Sequence, residues 1–307
     1  MKTIPIGNSS LRGSRLAYGC WRVTGSWNPS EITPESWSAG CAAVLAAYEA
    51  GYTVFDNAAI YCGGQAERLL GEVLKKVPGM RERVVVATKC GIRIPGDPTP
   101  EAPARYDFSA DHILHSCEQS LRRLGLETID LFMLHRPDFL ANPTEIAGAF
   151  SNLLAAGKVR YFGVSNFRPT LVAALQSACP MPLLVNQVEI SLAKLDAFTD
   201  GTLDQCLSSK ITPMAWSPLA GGRLFDPSQP AASRLAAAVK NMSARYHGAT
   251  LEQLAYAWIM AHPSGPLPVI GTNKLERIQS AAKADDIVLE REDWYALWEA
   301  AQGRKIP

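Results

Sequence analysis

The chain has 307 residues, of which 19% are charged, and its formal net charge is +1. The charges are spread without blocks of one sign, which excludes the basic stripe of a nucleic-acid-binding protein and the polybasic patch of a membrane-surface protein. No apolar run approaches the roughly 20 residues that span a bilayer, and the first residues lack the apolar segment of a signal peptide. These features predict a cytoplasmic protein without nucleic-acid or membrane partners.

The cysteines, at positions 20, 41, 62, 90, 117, 179 and 206, show neither CxxC spacing nor a paired cluster of histidines. A secreted disulfide scaffold is shorter and denser in cysteine. We therefore expect reduced thiols and no metal site.

Strand-like and helix-like patterns alternate from residue 15 to the C-terminus. Short apolar runs predict strands at 15–19, 53–57, 84–89, 129–135, 159–164, 183–188, 212–216 and 266–270. Helical patterns occupy 35–50, 65–76, 109–124, 143–156, 168–178, 202–209, 233–247 and 249–261. Parallel neighbours require crossover helices, so this alternation predicts a parallel sheet. No GxGxxG follows the first strand, which favours a closed (β/α)8 TIM barrel over a doubly wound sheet.

The remaining segments complete a single predicted domain over residues 1–307. Residues 1–14 predict a short hairpin that caps the barrel floor. Segment 92–108 contains four prolines that fit neither one helix nor a central strand, so we expect a long loop over the barrel mouth. Segment 219–232 predicts a second long loop there.

Four polar residues follow or end three consecutive predicted strands: Asp56, Tyr61, Lys89 and His135. In a parallel barrel such residues converge on the C-terminal mouth, where these enzymes carry out their chemistry. A lysine beside a tyrosine is expected to lower the phenol pKa, and an aspartate is expected to hold that lysine. The set predicts a tyrosine general acid, Tyr61, with Asp56, Lys89 and His135 as its partners.

The stretches GYTVFDNAAIY, GGQAERLLGEVLK, ATKCGI, LHRPD, GVSNF, NQVEIS, MAWSPLAGGRLF and GTNKLERI together resemble the aldo-keto reductase superfamily. Within it, the chain is most similar to a bacterial oxidoreductase branch of the YdhF type. The resemblance covers residue 15 to the C-terminus. It implies a (β/α)8 barrel that binds NADPH in an extended pose and transfers hydride to a small aldehyde or ketone.

The resemblance also implies roles for individual residues along the cofactor. Ser165, Asn166 and Gln187 resemble the residues that hydrogen-bond the nicotinamide carboxamide, and Trp216 resembles the aromatic residue that stacks on the ring. Ser217, Leu219, Gly221 and Gly222 lie in a segment suited to a pyrophosphate, because glycine lets backbone amides approach an anion. The end of the first strand supplies further expected cofactor and pocket contacts, namely Gly19, Cys20, Trp21 and Arg22.

The preference for NADPH is predicted from GTNKLERI. Gly271 and Thr272 are expected to open the last barrel helix, whose N-terminus attracts anions, and Lys274 and Arg277 are expected on its first turns as a 2′-phosphate clamp. Ala281 stands where many members have an adenine-binding asparagine. An apolar substrate wall is expected from Trp21, Trp27, Ile60, Tyr106 and Trp216.

Two alternatives remain open at this stage. A lysine at a strand end can attack a carbonyl, which would make the protein a Schiff-base aldolase using Lys89. A cofactor-binding sensor or regulatory protein with little turnover would need no intact proton-transfer set. A monomer is expected, because no heptad or obvious edge strand indicates assembly.

Overall fold

The computed structural model describes residues 1–306. Its strands are, in chain order, β1 (Thr3–Pro5), β2 (Arg12–Ser14), β3 (Ala17–Gly19), β4 (Val54–Asp56), β5 (Val85–Cys90), β6 (Ile92–Arg93), β7 (Arg105–Tyr106), β8 (Ile129–Leu134), β9 (Val159–Ser165), β10 (Leu183–Glu189), β11 (Thr212–Trp216) and β12 (Leu267–Ile270). Its α-helices are α1 (Pro34–Glu49), α2 (Gln65–Lys76), α3 (Ala110–Leu124), α4 (Pro143–Ala155), α5 (Pro169–Ala178), α6 (Thr202–Ser209), α7 (Pro230–Met242), α8 (Leu251–Met260), α9 (Leu275–Ala282) and α10 (Arg291–Gln302).

Eight of these strands close into a barrel in the order β3-β4-β5-β8-β9-β10-β11-β12, and β12 pairs in parallel with β3. Helices connect successive barrel strands, so the predicted (β/α)8 TIM barrel is confirmed. Helix starts follow the sequence signals: Asn142 caps α4, and proline occupies the first position of that helix. Among residues 1–306, none of the helices combines the length and apolarity needed to cross a bilayer.

Side-chain alternation along the barrel strands determines which residues face the interior. Val54, Val85, Ala87, Leu131 and Met133 belong to one buried apolar cluster of the barrel interior. Two residues further along each strand, on the same inward-facing side, a polar residue follows: Asp56 after Val54, Lys89 after Ala87 and His135 after Met133. The apolar interior therefore ends in a polar layer at the mouth.

The N-terminal hairpin closes the opposite end of the barrel, as predicted. β1 and β2 pair antiparallel, and the fully buried Ile6 of the connecting turn packs into the interior cluster. Gly7, at φ 57°, lies so close to the strand β10 backbone that a Cβ there would approach the Leu184 carbonyl oxygen to 2.6 Å. The floor is therefore sealed by backbone and apolar side chains.

Three features differ from the sequence expectations. The segment 92–108 is not only loop, because β6 and β7 form a small antiparallel hairpin inside it. Helix α9 begins at Leu275 with Lys274 as its N-cap, so Gly271 and Thr272 lie in the preceding connection. Helix α10 was not predicted, and it is anchored by Trp294, whose indole stacks on Trp258 at a centroid distance of 5.0 Å.

Candidate active site

The predicted proton-transfer residues come together at the C-terminal mouth of the barrel. Asp56 ends β4, Lys89 lies one residue before the end of β5, and His135 follows β8. Asp56 stands opposite Ala87, and Lys89 stands opposite Met133 in the register of the parallel strands. The side chains of all three residues therefore point to the same inner side of the barrel as the apolar residues that precede them.

Lys89 is the centre of this group and is fully buried. Its Nζ donates to Asp56 Oδ1 at 2.7 Å, to Asp56 Oδ2 at 2.8 Å and to the Asn57 carbonyl oxygen at 2.8 Å. A further contact of 3.2 Å joins it to the Tyr61 hydroxyl. Burial is the largest single influence on the pKa of Lys89 and lowers it, but the charges and hydrogen bonds of Asp56 and Tyr61 together outweigh burial, and the net shift is upward. The lysine is therefore a charged ammonium.

The backbone after β4 carries Tyr61 over this lysine. The amides of Asn57 and Ala59 donate to carbonyl oxygens of β5, at 2.8 and 2.9 Å, so the chain continues along β5 beyond the end of β4. A tight turn with Cys62 at φ 48° and Gly63 at φ 58° then leads into α2. This path fixes the tyrosine hydroxyl at the inner wall of the cavity.

The expected direction of the Tyr61 pKa shift is wrong. Burial raises the pKa of Tyr61 above its usual value, and the Lys89 ammonium offsets only part of that rise. The sequence indicated the lysine contact but not the depth of burial, which depends on the assembled barrel. Tyr61 is therefore a protonated phenol in this structure, which is the form that the predicted role of proton donor requires.

His135 stands beside the phenol, with the two rings edge to face at a centroid distance of 5.9 Å. Burial and the nearby Lys89 and Arg136 cations hold the pKa of His135 well below its usual range. The imidazole is therefore neutral. Within residues 1–306, neither of its ring nitrogens makes a hydrogen bond, so the ring is available to an oxygen placed at the mouth.

Two tryptophans form an aromatic wall above Tyr61. The Trp21 and Trp27 rings lie 4.9 Å apart, and they stand 6.3 and 6.0 Å from the Tyr61 ring. Ile60 and Trp216 also line the cavity, as predicted. Tyr106 does not line it, because it lies on the outer hairpin; Ile92 of the paired strand β6 contributes instead.

Ser165, Asn166, Gln187 and Trp216 form one connected group on the opposite side of the mouth. The Asn166 amide nitrogen donates to the His135 carbonyl oxygen at 3.1 Å, and its oxygen accepts from Trp216 Nε1 at 2.9 Å. The Ser165 hydroxyl donates to the Gln187 carbonyl oxygen at 2.8 Å. All four residues line the cavity, and Asn166 also holds Trp216 in place.

The predicted cofactor contacts after β11 all line the cavity, whereas one of those at the end of β3 does not. Ser217, Leu219, Gly221 and Gly222 line the cavity, and a Cβ at either glycine would meet nothing within 4 Å. Gly19, Trp21 and Arg22 line it as well. Cys20 does not, because its side chain is fully buried in the core between barrel and helices. Residues Cys20–Arg22 form one turn of 3-10 helix, in which the Cys20 side chain faces the core while Trp21 and Arg22 face the cavity.

The far end of the cavity is formed by Gly271, Thr272, Lys274 and Arg277. Since α9 begins at Leu275, Lys274 caps the helix and Arg277 lies in its first turn. Arg277 pairs with Glu252 of α8, a contact that the sequence did not indicate. Ala281 is fully buried in the core, so it offers no contact to a ligand.

The cavity has a volume of about 820 Å³ and runs from Tyr61 to Arg277. Sequence reasoning missed several of its lining residues: Ile92, Arg136, Glu252, Tyr256 and Asn273. Glu252 and Tyr256 belong to α8, the helix that precedes the last strand. Their spacing of four residues, which places them on the same face of a helix, was the only signal in the sequence. His135 and its neighbour Arg136 were both visible in LHRPD, but only the histidine was assigned.

Comparisons with known proteins identify the family of this chain. The sequence model of the Aldo/keto reductase family matches residues 15–302. Oxidoreductase YdhF of Escherichia coli is 41% identical over the full length of both chains. The 6-dehydroglucose reductase of Novosphingobium aromaticivorans is 41% identical over 98% of this chain and 96% of that protein.

Solved structures lead to the same family. The glycerol dehydrogenase of Gluconobacter oxydans superimposes with a TM-score of 0.84 and 26% identity, over 97% of this chain and 94% of that one. The match of the family model and the identity to YdhF both extend over nearly the whole chain. This protein therefore belongs to the aldo/keto reductase family.

Proposed function

We propose that this protein reduces a small aldehyde or ketone to an alcohol, with NADPH as the hydride source and Tyr61 as the general acid. The observation that carries the proposal is the Lys89 ammonium, which is held by both Asp56 oxygens and touches the Tyr61 hydroxyl at 3.2 Å. A buried ammonium at that position stabilises the phenolate that remains after the proton has left.

The dinucleotide fits the residues that line the cavity. Gln187 Oε1 makes no hydrogen bond within residues 1–306, so it is available to the amide group of a carboxamide. Gly221 and Gly222 leave open space for a pyrophosphate. Lys274 provides positive charge at the far end, where a 2′-phosphate would lie, and Arg277 lies beside it in an ion pair with Glu252. The charge of Lys274 supports the binding of NADPH.

When NADPH is bound along the cavity, its chemistry would be to supply the hydride that the substrate's carbonyl carbon receives. The Tyr61 hydroxyl gives its proton to the carbonyl oxygen, and Lys89 stabilises the resulting phenolate. The neutral His135 ring donates a hydrogen bond to the same oxygen and orients it. Trp21 and Trp27 cover the reacting atoms and limit the entry of water.

The Schiff-base aldolase alternative is disfavoured by the state of Lys89. An amine must be uncharged to attack a carbonyl. Here the pKa of Lys89 is raised and its nitrogen is surrounded by oxygen acceptors at 2.7 to 3.2 Å. A sensor without turnover has no requirement for such a buried set, but only an activity measurement separates it from a reductase.

The test is NADPH consumption with a panel of small aldehydes and ketones, including 6-dehydroglucose because one relative is named for it. We compare the wild type with Tyr61→Phe and with Tyr106→Phe as the matched control, since Tyr106 lies outside the cavity. Loss of the general acid is expected to lower kcat by about 10² to 10⁴ with NADPH binding retained. The control is expected to keep wild-type kcat.

Three outcomes would contradict the proposal. Equal activity of Tyr61→Phe and the wild type would remove Tyr61 as the acid. Tight NADPH binding without turnover of any panel member would support the sensor. Trapping of a carbonyl compound on Lys89 by borohydride would support the aldolase.

A further inference from the structure

The carboxylate of Glu252 occupies the end of the cavity where the 2′-group of a dinucleotide would lie. Arg277 Nε donates to Glu252 Oε2 at 3.2 Å, and Arg277 Nη2 donates to Glu252 Oε1 at 3.1 Å. The Tyr256 hydroxyl donates to the same Oε1 at 3.1 Å. All three residues line the cavity, so the predicted phosphate ligand Arg277 is already paired with an anion.

The local structure fixes this carboxylate firmly. Glu252 lies in the first turn of α8, where the helix dipole favours an acidic side chain. Thr250 and Gln253 form a capping box that sets the start of this helix. The side chain of Glu252 is only 13% exposed, against 39% for Arg277. The bidentate pair is therefore part of the folded framework of the site.

The Glu252–Arg277 pair has opposite consequences for the binding of NADPH, which carries a 2′-phosphate, and of NADH, which carries a 2′-hydroxyl. A 2′-phosphate carries close to two negative charges at neutral pH, so it must share Arg277 with a carboxylate that repels it. A 2′-hydroxyl can instead donate a hydrogen bond to that carboxylate, as ribose does to acidic residues in other dinucleotide sites. Within residues 1–306, Lys274 lines the cavity and makes no ion pair, so it remains an uncompensated cation for the phosphate.

We propose that Glu252 is a specificity-determining residue that lets this site accept NADH as well as NADPH. It acts by neutralising Arg277 and by accepting a hydrogen bond from the adenosine ribose. This inference rests on the proposed dinucleotide-dependent function and refines the choice of cofactor. The contribution of Arg277 to phosphate binding then depends on how far the Glu252 carboxylate neutralises its charge.

The test is the dissociation constant of each reduced dinucleotide, measured by calorimetry on the full chain without substrate. Glu252→Gln keeps the shape of the side chain and removes its charge. Glu276→Gln is the matched control, because Glu276 neighbours Arg277, is exposed and lies outside the cavity. We expect the ratio of the NADH Kd to the NADPH Kd to rise about tenfold or more in Glu252→Gln. The control ratio should change less than about twofold.

A second comparison tests whether Glu252 acts through its partner. Adding Arg277→Gln to the Glu252→Gln variant should remove most of the gain in NADPH affinity. An unchanged ratio in Glu252→Gln, or an equal change in the control, would overturn the inference while leaving the proposed function intact. If the wild type bound neither dinucleotide, the proposed function and the inference would both fail.

Discussion

Gln187 donates its side-chain amide to Asp56 Oδ1 over 2.9 Å, and Lys89 Nζ contacts the same oxygen at 2.7 Å. The bond crosses the barrel interior, because β10 and β4 are not neighbours in the sheet. Gln187 and Asp56 are both buried. The residue expected to bind the nicotinamide carboxamide is therefore also bonded to the carboxylate that holds the lysine.

From this bond we predict a role for Gln187 in catalysis as well as in binding. In Gln187→Met, Asp56 loses a donor, and kcat at saturating dinucleotide should fall about tenfold, the usual scale for a hydrogen bond to a charged group. The alkaline limb of the pH profile should also move, because the electrostatic surroundings of Lys89 and Tyr61 change. A change only in dinucleotide Kd, with kcat and the pH profile intact, would restrict Gln187 to cofactor binding.

The pKa shifts predict a broad pH range for reduction. The proposed mechanism requires protonated Tyr61 and neutral His135. The pKa of Tyr61 is raised above 10.0, so the proton donor is lost only as the pH rises beyond that value. The pKa of His135 is lowered well below 6.5, so the ring stays neutral until more acid conditions. Measured kcat should be constant between these two values, and an inflection near 6.5 would contradict the assignment of a neutral His135.

The barrel and the polar residues of its mouth could be predicted because both depend on local patterns. Apolar runs of fixed parity end in Asp56, Lys89 and His135, and parallel strands bring such ends together. Tyr61 could be placed because only four residues separate it from Asp56.

Contacts between distant segments could not be predicted in this way. Glu252 and Arg277 meet because the starts of α8 and α9 lie side by side, and the sequence gives no measure of that distance. Burial of Tyr61 depends on Trp21 and Trp27, whose loop positions follow from packing. Helix α10 has a mixed composition, and it is stabilised by the stacking of Trp294 on Trp258.

A buried ion pair behind the active site predicts a large effect on stability. Glu67 of α2 is fully buried; it accepts from Arg123 Nε at 2.6 Å and from Thr88 Oγ1 at 2.6 Å. Arg123→Met would leave the carboxylate buried without its partner, which typically costs about 3 kcal/mol or more. Chemical denaturation measures this loss of unfolding free energy.

The neighbouring Arg122 provides the control for that measurement. It lies in the same last turn of α3 but is exposed, so Arg122→Met should change the unfolding free energy by less than about 0.5 kcal/mol. Similar losses in the two variants would mean that the Glu67 pair contributes nothing beyond the general charge of the helix end.

The turn after β5 predicts a second effect on stability, which comes from a steric clash. Gly91 has φ 101°, and a Cβ there would approach Phe108 Cε1 to 2.1 Å. Gly91→Ala therefore combines backbone strain of about 1 to 3 kcal/mol with displacement of the Phe108 ring. Gly96 has a similar φ of 83° with nothing within 4 Å, so Gly96→Ala carries the strain alone.

The difference between these two variants isolates the packing of Phe108. Gly91 follows Lys89 by two residues and leads into the hairpin of β6 and β7. Gly91→Ala should lower the unfolding free energy more than Gly96→Ala and should also raise KM for the carbonyl substrate, because Ile92 lines the cavity. Thermal or chemical denaturation and steady-state kinetics of both variants measure the two effects. If Gly91→Ala and Gly96→Ala lost equal stability with unchanged KM, the Phe108 contact would not position the hairpin.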